Sequence, residues 1–168
     1  PANLTAFFVP STLDDMNLPS YWLSRPSQSP DAATLAAFDQ LYAAILHEAH
    51  SSNSPVSIQY DLPAPKWQFL CYLADRHNLA LHGSGDPNIR EFEPRQSSDL
   101  NEFGRQKAVY AAADGLWAMF FAIIDRSLPN LSISNACIRV KQDGLLGDPL
   151  YMFSVEKSCL SQHPWRTG

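Results

Sequence analysis

The chain has 168 residues, 45% of them apolar and 17% charged, and these values exclude a disordered protein and favour one folded domain. The net charge of −5 excludes a basic footprint for nucleic-acid backbones over the whole chain. No apolar run approaches the roughly 20 residues of a membrane helix, and no signal-peptide pattern opens the sequence. We therefore expect an intracellular, cytoplasmic protein without a membrane partner.

The N-terminal third is rich in proline, with eight of the thirteen prolines preceding Lys66. Residues 1–30 are predicted to form an irregular arm that packs through its aromatic side chains. Asp31 is a residue type that caps helices, and apolar residues then recur at helical spacing to about Ala49. The aromatic residues of the arm are Phe7, Phe8, Tyr21 and Trp22.

The middle of the chain alternates between helical and extended patterns. Lys66–His77 predicts a second helix, with Asn78 as its C-terminal stop. Leu79–Ser84 alternates as a strand does, and Ala108–Ala112 predicts another short strand. Gly85–Gln106, between them, is a long polar loop of the kind that is commonly functional.

The last third predicts one more helix and a pair of strands. Asp114 is the expected N-cap of a helix that is apolar almost all round, which indicates a buried helix. Asn135–Lys141 and Pro149–Glu156 predict strands, with Gln142–Asp148 as their hairpin connection. The whole pattern predicts an α+β protein, a single compact unit in which an arm and helix over 1–60 pack on a domain over 61–168.

The cysteines and one pair of histidines could form a disulfide or bind a metal, but their spacing favours neither. The three cysteines are widely spaced and odd in number, which predicts free thiols rather than a disulfide framework or a zinc ribbon. His47 and His50 lie three residues apart with no third ligand evident, so we expect a solvated helix end and no bound metal. The cysteines are Cys71, Cys137 and Cys159.

One constellation points to a specific chemistry. His82, Gly83 and Ser84 close the first predicted strand of the middle region, and Tyr110 lies in the second. A helix leads into the His-Gly-Ser segment, a Phe-Glu-Pro-Arg loop follows, and Val-Tyr-Ala-Ala-Ala-Asp precedes the aromatic helix. This order resembles the ADP-ribosyltransferase-like superfamily, which includes poly-ADP-ribose polymerase-like and RNA 2′-phosphotransferase-like proteins. The resemblance covers roughly residues 66–126.

The resemblance implies a split antiparallel or mixed sheet with flanking helices, and NAD as the substrate. His82 would contact a ribose hydroxyl, and the Gly83 backbone and the Ser84 hydroxyl would hold the nicotinamide carboxamide. Tyr110 would stack on the nicotinamide ring. Arg95 and Arg90 lie where the resemblance implies a donor loop that meets the pyrophosphate, although solvated loop charges are an equally simple interpretation.

The superfamily pattern also carries a third residue, usually Glu, on a later strand. Glu156 is the acid on a late predicted strand, but this strand comes one too early in the order. Three explanations stay open: Glu156 is the third residue through another topology, the acid is absent, or it lies beyond Gly168. A surface charge at a strand end is the alternative role for Glu156.

Three functions are compatible with these patterns. The first is an NAD-dependent ADP-ribosyltransferase or NAD glycohydrolase, whose catalytic residues would be His82, Tyr110 and Glu156. The second is a non-catalytic module of the same fold that binds NAD, ADP-ribose or a protein partner. The third is an RNA 2′-phosphotransferase-like enzyme, but the acidic net charge favours a protein or small-molecule acceptor over nucleic acid. A local basic patch for a single strand would consist of Arg90, Arg95, Arg105 and Lys107.

Overall fold

The computed structural model describes residues 19–52, 55–97 and 104–166. These residues form a mixed α+β structure, as predicted, with small antiparallel sheets and helices. In chain order the described elements are β1 (Leu23–Ser24), α1 (Ala32–Ser51), α2 (Lys66–His77), β2 (Arg95–Gln96), β3 (Lys107–Ala108), α3 (Gly115–Ile123), β4 (Ile133–Gln142), β5 (Leu145–Val155) and a 3₁₀ helix (Lys157–Gln162).

The chain folds as two compact units that interleave in sequence. The hairpin unit comprises Pro1–Gln28 and Leu128–His163, and the helical unit comprises Ser29–Ser127 and Pro164–Gly168. This division differs from the predicted boundary at residue 60, because β1 pairs with β5 of the late hairpin. Of the predicted arm, Phe7 and Phe8 lie outside the described residues, whereas Tyr21 and Trp22 belong to the hairpin unit.

The hairpin unit is built on one antiparallel sheet with the strand order β1-β5-β4. Its predicted hairpin is confirmed, with longer strands and a tighter turn than the sequence indicated. Asp143 and Gly144 form the turn, and both have positive φ angles, 48° and 84°. Two positive φ angles suit a two-residue turn that follows the right-handed twist of the strands. Glu156 therefore lies just past β5 rather than within a strand.

Local chemistry predicts where α1 and α3 begin and where α2 ends. The Asp31 carboxylate accepts the Thr34 N–H at 2.7 Å and starts α1, and the Asp114 carboxylate accepts the Trp117 N–H at 2.9 Å and starts α3. Asn78 ends α2 in the left-handed conformation, with a φ angle of 49°. A side chain that accepts a backbone N–H at the start of a helix is an effective cap, and so is a residue in the left-handed conformation at its end.

Aromatic packing joins α1 to α2. Phe38 of α1 is fully buried, and its ring centroid lies 5.2 Å from that of Phe69 and 5.3 Å from that of Tyr72. Leu73 completes this cluster. Close approach of α2 and α3 depends on Gly115, because a Cβ at that position would overlap the backbone nitrogen of Cys71.

The two predicted strands of the middle region are wrong in extent. Leu79–Ser84 forms no strand, and Leu81 makes only an isolated antiparallel bridge with Ala112. In Ala108–Ala112, only Ala108 belongs to a strand, β3, which pairs with β2. One cause is a long-range contact, since the backbone at Gly83 packs against α3. The other is local, since the polar side chains that follow form turns with their own backbone.

Two further sequence features can be compared with the structure. Cys71, Cys137 and Cys159 are all free thiols, as predicted. Across the part of the chain that the structure describes, none of the helices has the length and apolar character needed to span a membrane.

Candidate functional site

The isolated bridge in the helical unit brings the His-Gly-Ser segment beside the Tyr110 segment. The backbone N–H groups of Leu81 and Ala112 each donate to the carbonyl of the other residue at 2.8 Å. The next residue, His82, places its ring Nδ1 2.7 Å from the backbone carbonyl oxygen of Tyr110. Two residues that are 28 positions apart are therefore in direct contact, although neither predicted strand forms.

The bond to Tyr110 determines which nitrogen of the His82 ring carries the proton. A carbonyl oxygen only accepts, so Nδ1 must be the donor. In the neutral imidazole, Nε2 then holds the lone pair and accepts hydrogen bonds. Because His82 is exposed, its ring offers a fixed acceptor to a ligand hydroxyl.

Gly83 is required by close packing on one side. A Cβ at this position would overlap the carbonyl oxygen of Ala118 in α3. Among the described residues, no hydrogen bond joins the backbone N–H or carbonyl of Gly83 to a protein partner. The residue thus presents one donor and one acceptor on the same short backbone segment, which is the pair that a carboxamide needs.

Ser84 begins a short series of turns. Its Oγ accepts the Asp86 N–H at 3.1 Å, and the Asp86 carboxylate in turn accepts the Asn88 N–H at 2.9 Å. These turns hold the segment in shape by side-chain bonds to its own backbone. Since the Ser84 oxygen acts as acceptor in this bond, its hydroxyl proton is available to a ligand.

Aromatic side chains flank His82. The Tyr110 hydroxyl donates to the carbonyl oxygens of Gly104 and Gln106, at 2.7 and 2.8 Å, which anchors the far end of its ring. Tyr110 is 38% exposed and Phe92 is 58% exposed. The Phe92 ring meets the His82 ring edge-on, with 5.0 Å between centroids. Phe92 was not predicted as a site residue. The sequence marks it only as a single aromatic residue in the polar loop.

The arginines predicted for the donor loop occupy different positions. Arg95 lies in β2, with Ala108 opposite it in β3, so the ribbon holds its backbone. Arg90 lies in the loop before β2, and both side chains are exposed. Binding of the pyrophosphate by either arginine therefore stays a prediction, as does the alternative that both are solvated loop charges.

Glu156 belongs to the hairpin unit, whereas His82, Gly83, Ser84, Arg95 and Tyr110 belong to the helical unit. Its N–H donates to the Ser132 carbonyl at 2.8 Å, and its own carbonyl accepts the Cys159 N–H at 2.9 Å. The exposed residue thus starts the 3₁₀ helix. Its role as the third acid stays a prediction.

The end of the described chain adds two residues that sequence reasoning missed. Arg166 donates from Nη1 to the Gly85 carbonyl at 2.6 Å and from Nη2 to the Asp125 carboxylate at 2.9 Å. Hydrogen bonds from Ser127, followed by those from Arg166, lower the pKa of Asp125 to about 2. Gly85 and Arg166 are 81 positions apart in the sequence, which leaves no local signal for this contact.

Other parts of the described chain offer less chemistry. In residues 19–52, 55–97 and 104–166, no three His, Cys, Asp or Glu side chains group as metal ligands would. His47 and His50 are exposed near the end of α1, and the His50 Nδ1 donates to the Leu46 carbonyl at 2.6 Å. A small apolar pocket of about 180 Å³ beside α1 is lined by Ala33, Thr34, Ala37, Leu62, Pro63 and Ala64.

Comparison of the chain with protein-family profiles, curated proteins and solved structures finds no match.

Proposed function

We propose that this protein is an NAD-dependent ADP-ribosyltransferase or NAD glycohydrolase whose nicotinamide site is formed by His82, Gly83, Ser84 and Tyr110. The contact between the His82 ring and the Tyr110 backbone carries the proposal. That contact joins the two segments whose residues resemble the superfamily, and it does so in the antiparallel arrangement of the Leu81–Ala112 bridge.

The described groups match the demands of nicotinamide cleavage. The Gly83 N–H would donate to the carboxamide oxygen, and the Gly83 carbonyl would accept from the carboxamide NH₂. The Ser84 hydroxyl would add a second donor, and the Tyr110 ring would stack on the pyridine ring. The Nε2 lone pair of His82 would accept a hydrogen bond from a ribose hydroxyl.

The reaction requires positioning more than covalent help. The bond between the ribose C1′ and the nicotinamide nitrogen breaks, and the electron pair leaves with nicotinamide as a neutral base. Water or an acceptor nucleophile adds to C1′ and loses one proton. Residues that fix the ring and the ribose lower the barrier by orientation and by electrostatic stabilisation of the positive charge on the ribose.

A non-catalytic NAD-binding module is the second candidate. Among the described residues, the hydrogen-bond and ring partners of the His82 and Tyr110 side chains include no carboxylate. In the first candidate, Glu156 is the described acid whose role as the third residue can be tested. Glu156→Gln would then lower nicotinamide release without changing NAD affinity, if Glu156 is that acid.

Nicotinamide release from NAD, followed by chromatography, tests the proposal. We expect release by the wild-type chain and its loss in His82→Ala. His50→Ala is a matched control, because His50 is also exposed and also donates from Nδ1 to a backbone carbonyl. NAD binding that His82→Ala weakens, without any release, would favour the binding module. No binding and no release from the folded wild-type chain would reject both candidates.

A further inference from the structure

The residues after α3 and the end of the described chain are joined by a short antiparallel contact inside the helical unit. Ile124 and Trp165 form an isolated bridge, the Asp125 N–H donates to the Pro164 carbonyl at 2.8 Å, and the Arg166 N–H donates to the Ile123 carbonyl at 2.6 Å. Ile124 is almost fully buried. The backbone of Arg166 is thereby held at a fixed place beside α3.

The Arg166 side chain then contacts the segment that follows Ser84. Its guanidinium donates to the Gly85 carbonyl and to the Asp125 carboxylate at the same time. A Cβ on Gly85 would lie 3.1 Å from Nε and 3.3 Å from Cζ of Arg166, so the guanidinium packs against the bare glycine backbone. A planar fork with two partners fixes geometry better than a single point charge does.

We propose that Arg166 is a positioning residue for the carboxamide-binding segment, holding Gly85 so that the backbone of Gly83 and the hydroxyl of Ser84 keep their directions. This inference rests on the proposed function. Gly83 is fixed on one side by its packing against Ala118, and Arg166 fixes the same segment two residues later. Between and after these points, the Ser84 and Asp86 side chains add local bonds to the backbone N–H groups of Asp86 and Asn88.

A positioning role for Arg166 predicts different effects on the affinities for two similar ligands. NAD carries the carboxamide, whereas ADP-ribose carries the same pyrophosphate and riboses without it. If Arg166 acts through Gly83 and Ser84, Arg166→Gln loses affinity for NAD but not for ADP-ribose. If Arg166 instead bound phosphate directly, both affinities would fall together.

The experiment measures both affinities by calorimetry for the wild-type chain and for Arg166→Gln, with Arg126→Gln as the control. Arg126 is an exposed arginine of the same unit whose described hydrogen bond involves only its backbone. We expect NAD affinity to fall about tenfold in Arg166→Gln, the equivalent of about 1.4 kcal/mol, with ADP-ribose affinity unchanged. Arg166→Lys should recover only part of this loss, because it keeps the charge without the fork.

A second measurement is independent of the ligand. Amide hydrogen exchange at Asp86, whose N–H donates to the Ser84 Oγ, should be faster in the free Arg166→Gln protein than in Arg126→Gln. Unchanged exchange, or equal losses for NAD and ADP-ribose, would overturn the positioning role while leaving the proposed function intact. Absence of NAD binding by the folded wild-type chain would reject the proposed function, and this inference with it.

Discussion

Histidine and tyrosine occur both in the α1–α2 core and in the His82 segment, but their exposure and hydrogen bonding differ. In the core, Tyr72 is buried, its hydroxyl donates to the Asp39 carboxylate, and His77 Nε2 lies 3.0 Å from its oxygen. Since the Tyr72 proton goes to Asp39, His77 must donate. In the site, the exposed His82 uses one ring nitrogen as an anchor and keeps the other as an acceptor. The polar groups of the first region therefore bond to one another within the packed helices, whereas we propose that those of the second bind a ligand.

The largest expected effect comes from the most buried ring. Phe38→Ala removes a fully buried side chain that contacts Phe69 and Tyr72, so we expect a loss of about 3–5 kcal/mol in the free energy of unfolding. Phe92→Ala, an exposed phenylalanine beside His82, should change it by no more than about 0.5 kcal/mol. Urea unfolding measures both, and equal losses would contradict the distinction between core and site.

Gly83 belongs to the proposed site and also packs against α3. Gly83→Ala pushes a methyl group into the Ala118 carbonyl, and we expect a loss of about 1–3 kcal/mol in unfolding free energy. Ser84→Ala leaves that packing untouched and serves as the control. A Gly83→Ala protein as stable as Ser84→Ala would show that α3 does not lie against this segment.

The raised pKa of Tyr72 in the core predicts a loss of stability at alkaline pH. Burial first, and then the bond to Asp39, raise the pKa of Tyr72 from 10 to about 12. An unfolded tyrosine releases its proton first, so the contribution of Tyr72 is complete below pH 10 and declines as the pH rises towards 12. Unfolding curves between pH 9 and pH 12 should fall less steeply for Tyr72→Phe than for the wild type. Parallel curves would contradict the assignment.

The smallest effect concerns the Arg166 contact at acid pH. Because hydrogen bonds from Ser127 and Arg166 lower the pKa of Asp125 from 3.8 to about 2, its contribution is complete above pH 3.8 and is lost as the pH falls towards 2. The ¹³C NMR shift of the Asp125 carboxyl carbon should therefore be constant from pH 7 to pH 4 and then titrate. In Asp125→Asn this transition should be absent. A midpoint near 4 in the wild type would contradict the contact.

Local chemistry explains what the sequence predicted well. Asp31, Asp114 and Asn78 act on backbone groups within a few residues, so their effects are visible in a short window. The Asp143-Gly144 turn is also local, although the sequence analysis predicted a longer connection over Gln142–Asp148. The hairpin and the limits of α2 followed from such signals.

Long-range contacts explain what the sequence did not show. The Leu79–Ser84 pattern alternated correctly, but a strand also needs a partner, and only Leu81 has one. The Gly85–Arg166 contact depends on where the chain returns, which periodicity does not record. Phe92 reaches His82 from a loop with no regular spacing. For the site, the sequence therefore indicated His82 and Tyr110 but not the residues that hold or flank them.

The most direct test of the central claim is an NMR titration of the isotope-labelled chain with free nicotinamide. Nicotinamide carries the carboxamide and the ring but no ribose or phosphate, so it reports on Gly83, Ser84 and Tyr110 alone. The account predicts saturable shifts of the Gly83 and Ser84 amides, which are retained in His50→Ala. In Gly83→Ala the Ser84 amide should no longer shift, because the added methyl group displaces the segment from α3. If these amides of the folded wild-type chain do not shift as the nicotinamide concentration is raised, the result would contradict the proposed site.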